Sequence, residues 1–132
     1  MSAVLDTHAA IWYLLDSTKL PGPVYSLIDG AAVSGTPTYI SAVSLVEIVY
    51  LVERGRIQAN AFDTFASELD NESPAFIVVP LDARVAAALK RVPRNIVPDM
   101  PDRIIAATAL HLGLPLVSRD RRLQAAGIQT IW

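Results

Sequence analysis

An α/β domain built on a central, mainly parallel sheet is the fold class this sequence predicts. Three features point to it. Short apolar runs of strand character alternate with longer runs of helical pattern, which is the signature of strand–helix–strand units. The strands read as near-continuous hydrophobics rather than as alternating polar and apolar residues, as expected for strands buried on both faces. The hydrophobic fraction, 52%, is high enough to cover both faces of a sheet and to leave some apolar surface for a partner. A length of 132 residues suits one domain, spanning positions 1–132.

The elements follow in order. Ala3–Leu5 forms the first strand and leads directly into a helix from about His8 to Leu15. Pro21 and Pro23 open a short helical segment through Leu27 that ends near Gly30. Tyr39–Ile40 is a second strand, followed by a helix from Ala42 to Arg54 with Ser41 as its cap and Gly55 closing it. Asn60 caps a helix through Leu69, and Phe76–Val79 is a β-branched strand. Asp82 caps an alanine-rich helix that stops before Pro93. Arg94–Pro101 is a proline-rich loop, and Asp102 begins a helix closed near Gly113. Leu116–Val117 is a strand, Arg121–Ala125 a helical turn, and Ile128–Ile131 the final strand.

Composition excludes several classes of protein. Cysteine is absent, so there are neither disulfides nor thiolate metal sites, and a reducing, cytoplasmic setting is expected. No apolar run reaches the roughly 18 residues needed to cross a bilayer, and Asp6 interrupts the first apolar stretch with no basic segment before it, unlike a signal peptide. A net charge of −2 does not by itself mark a nucleic-acid binder. The distribution is more informative. Arg84, Lys90, Arg91, Arg94, Arg103, Arg119, Arg121 and Arg122 all lie in the C-terminal half, three of them around Asp120. Such a rim is either an ordinary solvated surface or a phosphate-binding one.

Four acids occupy positions where packing residues belong: Asp6 after AVL, Glu47 within SLVEIVYL, Asp102 before RIIAATAL and Asp120 after LPLVSR. Asp6 and Asp102 each have a structural reading as helix caps. Glu47 lies in a helix apolar nearly all round, where an unpaired glutamate is rare. Its structural alternative is a capping box with Ser44, which would require the helix to start there and discard Ser41. Asp120 can cap the turn at Arg121 or pair with a neighbouring arginine. Asp99, in the proline-rich loop, is the alternative third ligand if Asp102 is only a cap.

Ligands of an open parallel sheet bind outside the carboxyl ends of its strands. Asp6 and Asp120 follow strands, and Asp102 and Glu47 lie early in helices, so all four can face that edge. Two carboxylates about 4 Å apart repel by roughly 4 kcal/mol at an effective dielectric near 20. A convergent set therefore requires a positive charge. Oxygen-only donors suit Mg2+ or Mn2+ rather than zinc, and such an ion can acidify water and stabilise charge on a phosphoryl oxygen.

The residues also resemble a family. LDTHAAIWYL, ISAVSLVEIVYLVERGRI, PDRIIAATALHLGLPLVSRDRRL and the closing TIW are similar, in order and spacing, to the successive blocks of PIN-domain nucleases. More narrowly they resemble the VapC-type toxins of toxin–antitoxin pairs. The resemblance implies a PIN-like fold and cleavage of RNA dependent on Mg2+ or Mn2+. It makes Asp6, Glu47 and Asp102 the core metal-binding acids and Asp120 a fourth, more variable one. It also implies a VapB-like antitoxin partner and a homodimer, with no membrane association. Thr7 and Ser118 are then supporting hydroxyls, unless they serve only local backbone bonding. Arg103 and Arg119 become candidates for substrate phosphates. His8 is a helix residue or at most a substrate contact, and His111 a structural residue at a helix end.

Other readings compete. Haloacid-dehalogenase-type phosphotransferases need a second aspartate two residues after the first, where this chain has His8. A dinucleotide-binding domain would need a glycine-rich turn after the first strand, which is missing. A PIN-like module that binds RNA or protein without catalysis is the remaining alternative.

Overall fold

The computed structural model describes residues 1–132. Five strands, β1 (Ala3–Leu5), β2 (Thr38–Ser41), β3 (Ile77–Val79), β4 (Leu116–Val117) and β5 (Thr130–Ile131), form one sheet in the order β3-β2-β1-β4-β5. Every pairing is parallel. Leu5 lies opposite Ile40 on one side and Val117 on the other, and Val117 opposite Ile131. Side chains alternate across a strand, so Ala3, Leu5, Ile40 and Val117 feed one core while Val4 and Leu116 feed a second.

The first core lies under α1 (Thr7–Leu14), α2 (Gly22–Ser34) and α4 (Ala61–Leu69), with Phe65 and Phe76 stacked 6.0 Å apart. The second lies under α5 (Ala83–Ala88), its 3-10 extension Leu89–Arg91, α6 (Met100–Leu112) and α7 (Arg121–Ala125). The helix α3 (Ala42–Glu53) serves both, sending Ile48 into the first core and Val43 into the second. No helix is long and apolar enough to cross a membrane.

Three elements differ from expectation. The helix α2 passes through Gly30 and ends at Ser34, with Gly35 in the left-handed region (φ 75°) and Thr36 N–H returning to the Ala31 carbonyl. Val24, Ile28 and Ala31 are all buried and continue the apolar stripe across the glycine; their burial exceeds the ~1 kcal/mol that an internal glycine costs a helix. The helix α6 begins at Met100, because Asp99 caps it through Oδ2, which accepts from Asp102 N–H at 3.3 Å. Pro101 fits within that first turn, where it forfeits no helical hydrogen bond. The last strand is also shorter than expected, covering Thr130–Ile131.

Strand order reverses at β1, which has β2 on one side and β4 on the other. The crevice at the carboxyl ends of β1 and β4 is thus the topological switch point, where ligands of open α/β sheets bind.

Candidate active site

The crevice is built from the ends of those two strands. Asp6 N–H donates to the Val117 carbonyl at 3.1 Å, which carries the β1–β4 ladder one residue past β1. The Asp6 side chain caps α1, its Oδ1 accepting from Ala9 N–H at 2.8 Å. Capping and a site role coexist here, because the cap uses only Oδ1. Burial pushes the Asp6 carboxyl up, while the Ser118 hydroxyl and the Ala9 N–H favour its ionised form.

Glu47 lies on α3, whose first turn is capped by Ser41 Oγ accepting from Val43 N–H at 3.2 Å. The Ser44–Glu47 capping box is therefore absent. Ser44 and Glu47 instead meet α1: Thr7 Oγ1 donates to Glu47 Oε1 at 2.5 Å and lies 2.9 Å from Ser44 Oγ. Burial raises the Glu47 carboxyl, the Thr7 bond opposes this, and the charges of Asp99 and Asp6 raise it further.

Asp102 is not the cap of α6, the structural alternative weighed for it from sequence. Asp99 is the cap, and Asp102, in the first turn of α6, turns its carboxyl to the Arg122 guanidinium at 3.2 Å. Burial, then the charges of Asp99 and Glu47, push Asp102 up to about 6. Asp120 caps α7 through Oδ1, which accepts from Arg122 N–H at 3.0 Å, and it also pairs with the Arg122 guanidinium at 2.8 Å. That pairing holds its carboxyl below the usual range.

Asp6, Asp102 and Asp120 line one cleft of about 430 Å³ together with Ser118, Arg119 and Arg122. Glu47 opens on the adjoining side, beside Asp99, and senses Asp6 and Asp102 through space. No three of these acids converge closely enough to grip one ion. The positive charge that the cluster requires comes from Arg122, whose Nη2 reaches Asp120 at 2.8 Å and Asp102 at 3.2 Å. In chemistry the residues fit a hard divalent cation: the donors are all oxygen, burial and mutual repulsion hold three of the carboxyls up, and a guanidinium stands in for the cation.

The supporting residues divide. Thr7 and Ser118 are buried and each touches an acid; Ser118 Oγ also accepts from Asp120 N–H at 3.1 Å. Arg119 reaches the cleft with its guanidinium 4.8 Å from the centre of the Trp12 ring. Arg103 does not reach it. Its Nη2 donates to the carbonyls of Leu89 at 2.9 Å and Val92 at 3.0 Å, tying α6 to the end of the 3-10 turn. Expected as a phosphate contact, it instead bonds the Val92 carbonyl and adds a second donor to the Leu89 carbonyl, which also accepts from Val92 N–H at 3.0 Å. His111 is exposed in the last turn of α6, away from the cleft.

Sequence reasoning missed two features. Arg122 was legible as a neighbour of Asp120, but its reach to Asp102, twenty positions back, exists only in the fold. The aromatic side of the cleft, formed by His8, Trp12 and Trp132, draws on both ends of the chain.

The PIN-domain family model matches residues 3–128. The chain belongs to the PIN-domain family. Among curated proteins, this PIN domain is 30% identical over 124 residues to Ribonuclease VapC22 of Mycobacterium tuberculosis, covering 94% of this chain and 91% of that protein. Two crystal structures share its fold. VapBC2 from Rickettsia felis, bound to a DNA fragment from their promoter, superposes with a TM-score of 0.74 at 15% identity, over 99% of this chain and 98% of that one. FitAcB from Neisseria gonorrhoeae superposes with a TM-score of 0.71 at 23% identity, over 100% of this chain and 97% of that one.

Proposed function

We propose that this PIN domain is an endoribonuclease that hydrolyses RNA phosphodiester bonds with Mg2+ or Mn2+, and that it is the toxin of a toxin–antitoxin pair. The observation that carries the reading is a cleft at the sheet's switch point lined by Asp6, Asp102 and Asp120, with Glu47 on its adjoining side, three of the four having carboxyls raised by burial. Kinship with Ribonuclease VapC22 supports RNA as the substrate.

Asp6, Glu47, Asp102 and Asp120 would hold the cation. When bound, it neutralises charge developing on a phosphoryl oxygen and acidifies the attacking water. The chain's own residues prepare for this. Thr7 fixes the Glu47 carboxyl and favours its ionised form, and Ser118 does the same for Asp6. Arg119 and Arg121 at the cleft draw in phosphates. Arg122 steadies Asp102 and Asp120 in the cation-free protein.

A VapB-like antitoxin, a second copy of this chain and a cytoplasmic setting belong to the same reading. Exposed Val46, Tyr50 and Met100, around a second cleft of about 370 Å³ beside Glu47, supply apolar surface for a partner to cover.

The test is cleavage of RNA by the purified protein with Mg2+ or Mn2+, and with the cation chelated. Glu47→Gln and Asp102→Asn should each lower kcat by on the order of 100-fold or more, and chelation should abolish turnover. Equal rates for wild type and both variants would refute the assignment of the acids. Binding of RNA without cleavage under any cation would favour the non-catalytic module.

A further inference from the structure

The cleft has a second chemical character besides its acids. His8 and Trp12 lie 5.5 Å apart between ring centres, and Trp12 and Trp132 5.9 Å apart, both pairs tilted. Trp12 is nearly buried at 8% exposure, whereas Trp132 is 41% exposed and His8 also faces solvent. Arg119 already occupies Trp12, its guanidinium 4.8 Å from the ring centre. The open ring at the cleft is therefore that of Trp132.

The sheet determines how far that ring lies from the acids. Asp6 N–H bonds the Val117 carbonyl, and Ser118 N–H bonds the Ile131 carbonyl at 3.0 Å. Asp6 and Trp132 thus leave the sheet two strands apart, about 10 Å across the ladder. All three aromatic rings line the same cleft as Asp6, Asp102 and Asp120.

We propose that Trp132, on the same cleft wall as His8, is the stacking platform for one unpaired nucleobase of the RNA strand, with Arg119 and Arg121 holding the phosphates beside it. This rests on the ribonuclease reading above and names the form of RNA that the site accepts. A base inside a duplex has both faces covered by its neighbours and cannot lie on a side chain, whereas an unpaired base presents a free π-face. Arginine beside an aromatic ring is the pairing that single-strand binders use to track a backbone while stacking its bases. Apart from Trp12, Ile105, Leu123 and Trp132, the lining is charged or polar, which suits a nucleotide better than an apolar peptide segment.

The test separates binding from cleavage. In a Glu47→Gln background, a short unstructured, fluorescently labelled oligoribonucleotide is titrated, and so is the same strand annealed to its complement. Polarisation and intrinsic tryptophan emission are both followed. The single strand should bind and quench emission, and the duplex should bind more weakly. Trp132→Ala should weaken single-strand binding about 5- to 150-fold, the range for one stacked base, and Trp132→Phe should recover most of that loss. In the otherwise wild-type enzyme, Trp132→Ala should raise KM and leave kcat little changed.

Unchanged single-strand binding in Trp132→Ala, equal affinity for duplex, or no recovery with Trp132→Phe would each overturn the platform. Weakened binding of an antitoxin protein with RNA binding intact would overturn it too, and would assign the wall to protein docking. If wild type cleaves nothing while Trp132-dependent binding persists, the platform stands and the catalytic reading falls. If cleavage is normal with KM insensitive to Trp132, the catalytic reading stands and the platform falls.

Discussion

Replacing Asp102 with asparagine removes the charge this fold tolerates least, and should raise the melting temperature of the cation-free protein at neutral pH. Burial and the neighbouring charges of Asp99 and Glu47 lift the Asp102 carboxyl from 3.8 to about 6, against a smaller opposing pull from Arg122. A rise of that size corresponds to ~3 kcal/mol against the ionised form. The side chain is 34% exposed, so solvent screening reduces this to roughly 1–2 kcal/mol. Asp102 also lies in the first turn of α6, and losing its charge there forfeits about 0.5 kcal/mol of interaction with the helix dipole. The net gain is roughly 0.5–1.5 kcal/mol, or about 2–6 °C for a chain of this size.

The pH dependence follows from the same direction of shift. A carboxyl that binds its proton more tightly in the folded state adds no penalty below about pH 4. The penalty grows between about pH 4 and 6, and it is complete above that range. Thermal unfolding of wild type and variant in a chelator, near neutral pH and near pH ~4, should therefore show a gap at the higher pH that closes at the lower. A variant that melts below wild type at neutral pH, or a gap independent of pH, would refute the reasoning. Saturating Mg2+ should reverse the order, because a cation at about 100 times its dissociation constant stabilises wild type by ~2.7 kcal/mol and the variant much less.

Three further predictions follow from individual contacts. Arg103→Met should lose ~2–3 kcal/mol in chemical denaturation, since it removes charge-assisted bonds to the Leu89 and Val92 carbonyls; its KM for RNA should stay put, and a raised KM with unaltered stability would restore a phosphate-binding role. Thr7→Val deletes the donor that favours ionised Glu47, so the acid limb of the pH–rate profile should move to higher pH with ~1 kcal/mol lost in stability; an unmoved limb would show that Thr7 does not tune Glu47. Arg122→Ala removes the resident counter-charge of Asp102 and Asp120 and should tighten Mg2+ binding about 2- to 5-fold by calorimetry; weaker binding would mean that the arginine helps to hold the ion.

Much of the framework was legible because it obeys local rules. Ser41 before Ala42 and Asp82 before Ala83 are caps that any helix start would recruit. The near-continuous strand AVL is covered on both faces, as its pattern requires, whereas the edge strand IVV leaves Ile77 exposed. Where local rules offered two answers, the reading slipped. Gly30 could end a helix or lie within one, and burial of Val24, Ile28 and Ala31 settled it. Asp99 and Asp102 could each cap α6, and Pro101 suits either start.

Spacing along the chain identified the acids and placed each at a strand end or on a helix, because carboxylates within apolar runs stand out from their neighbours alone. Contacts between segments far apart are set by strand order and register, which no local pattern encodes. Only the folded chain turned Arg103 toward two carbonyls and away from the cleft, brought Arg122 onto Asp102, and set Trp132 beside residues from the first helix. Those positions depend on the long-range closure of five strands into one sheet, and the electrostatics of the site follow from that closure.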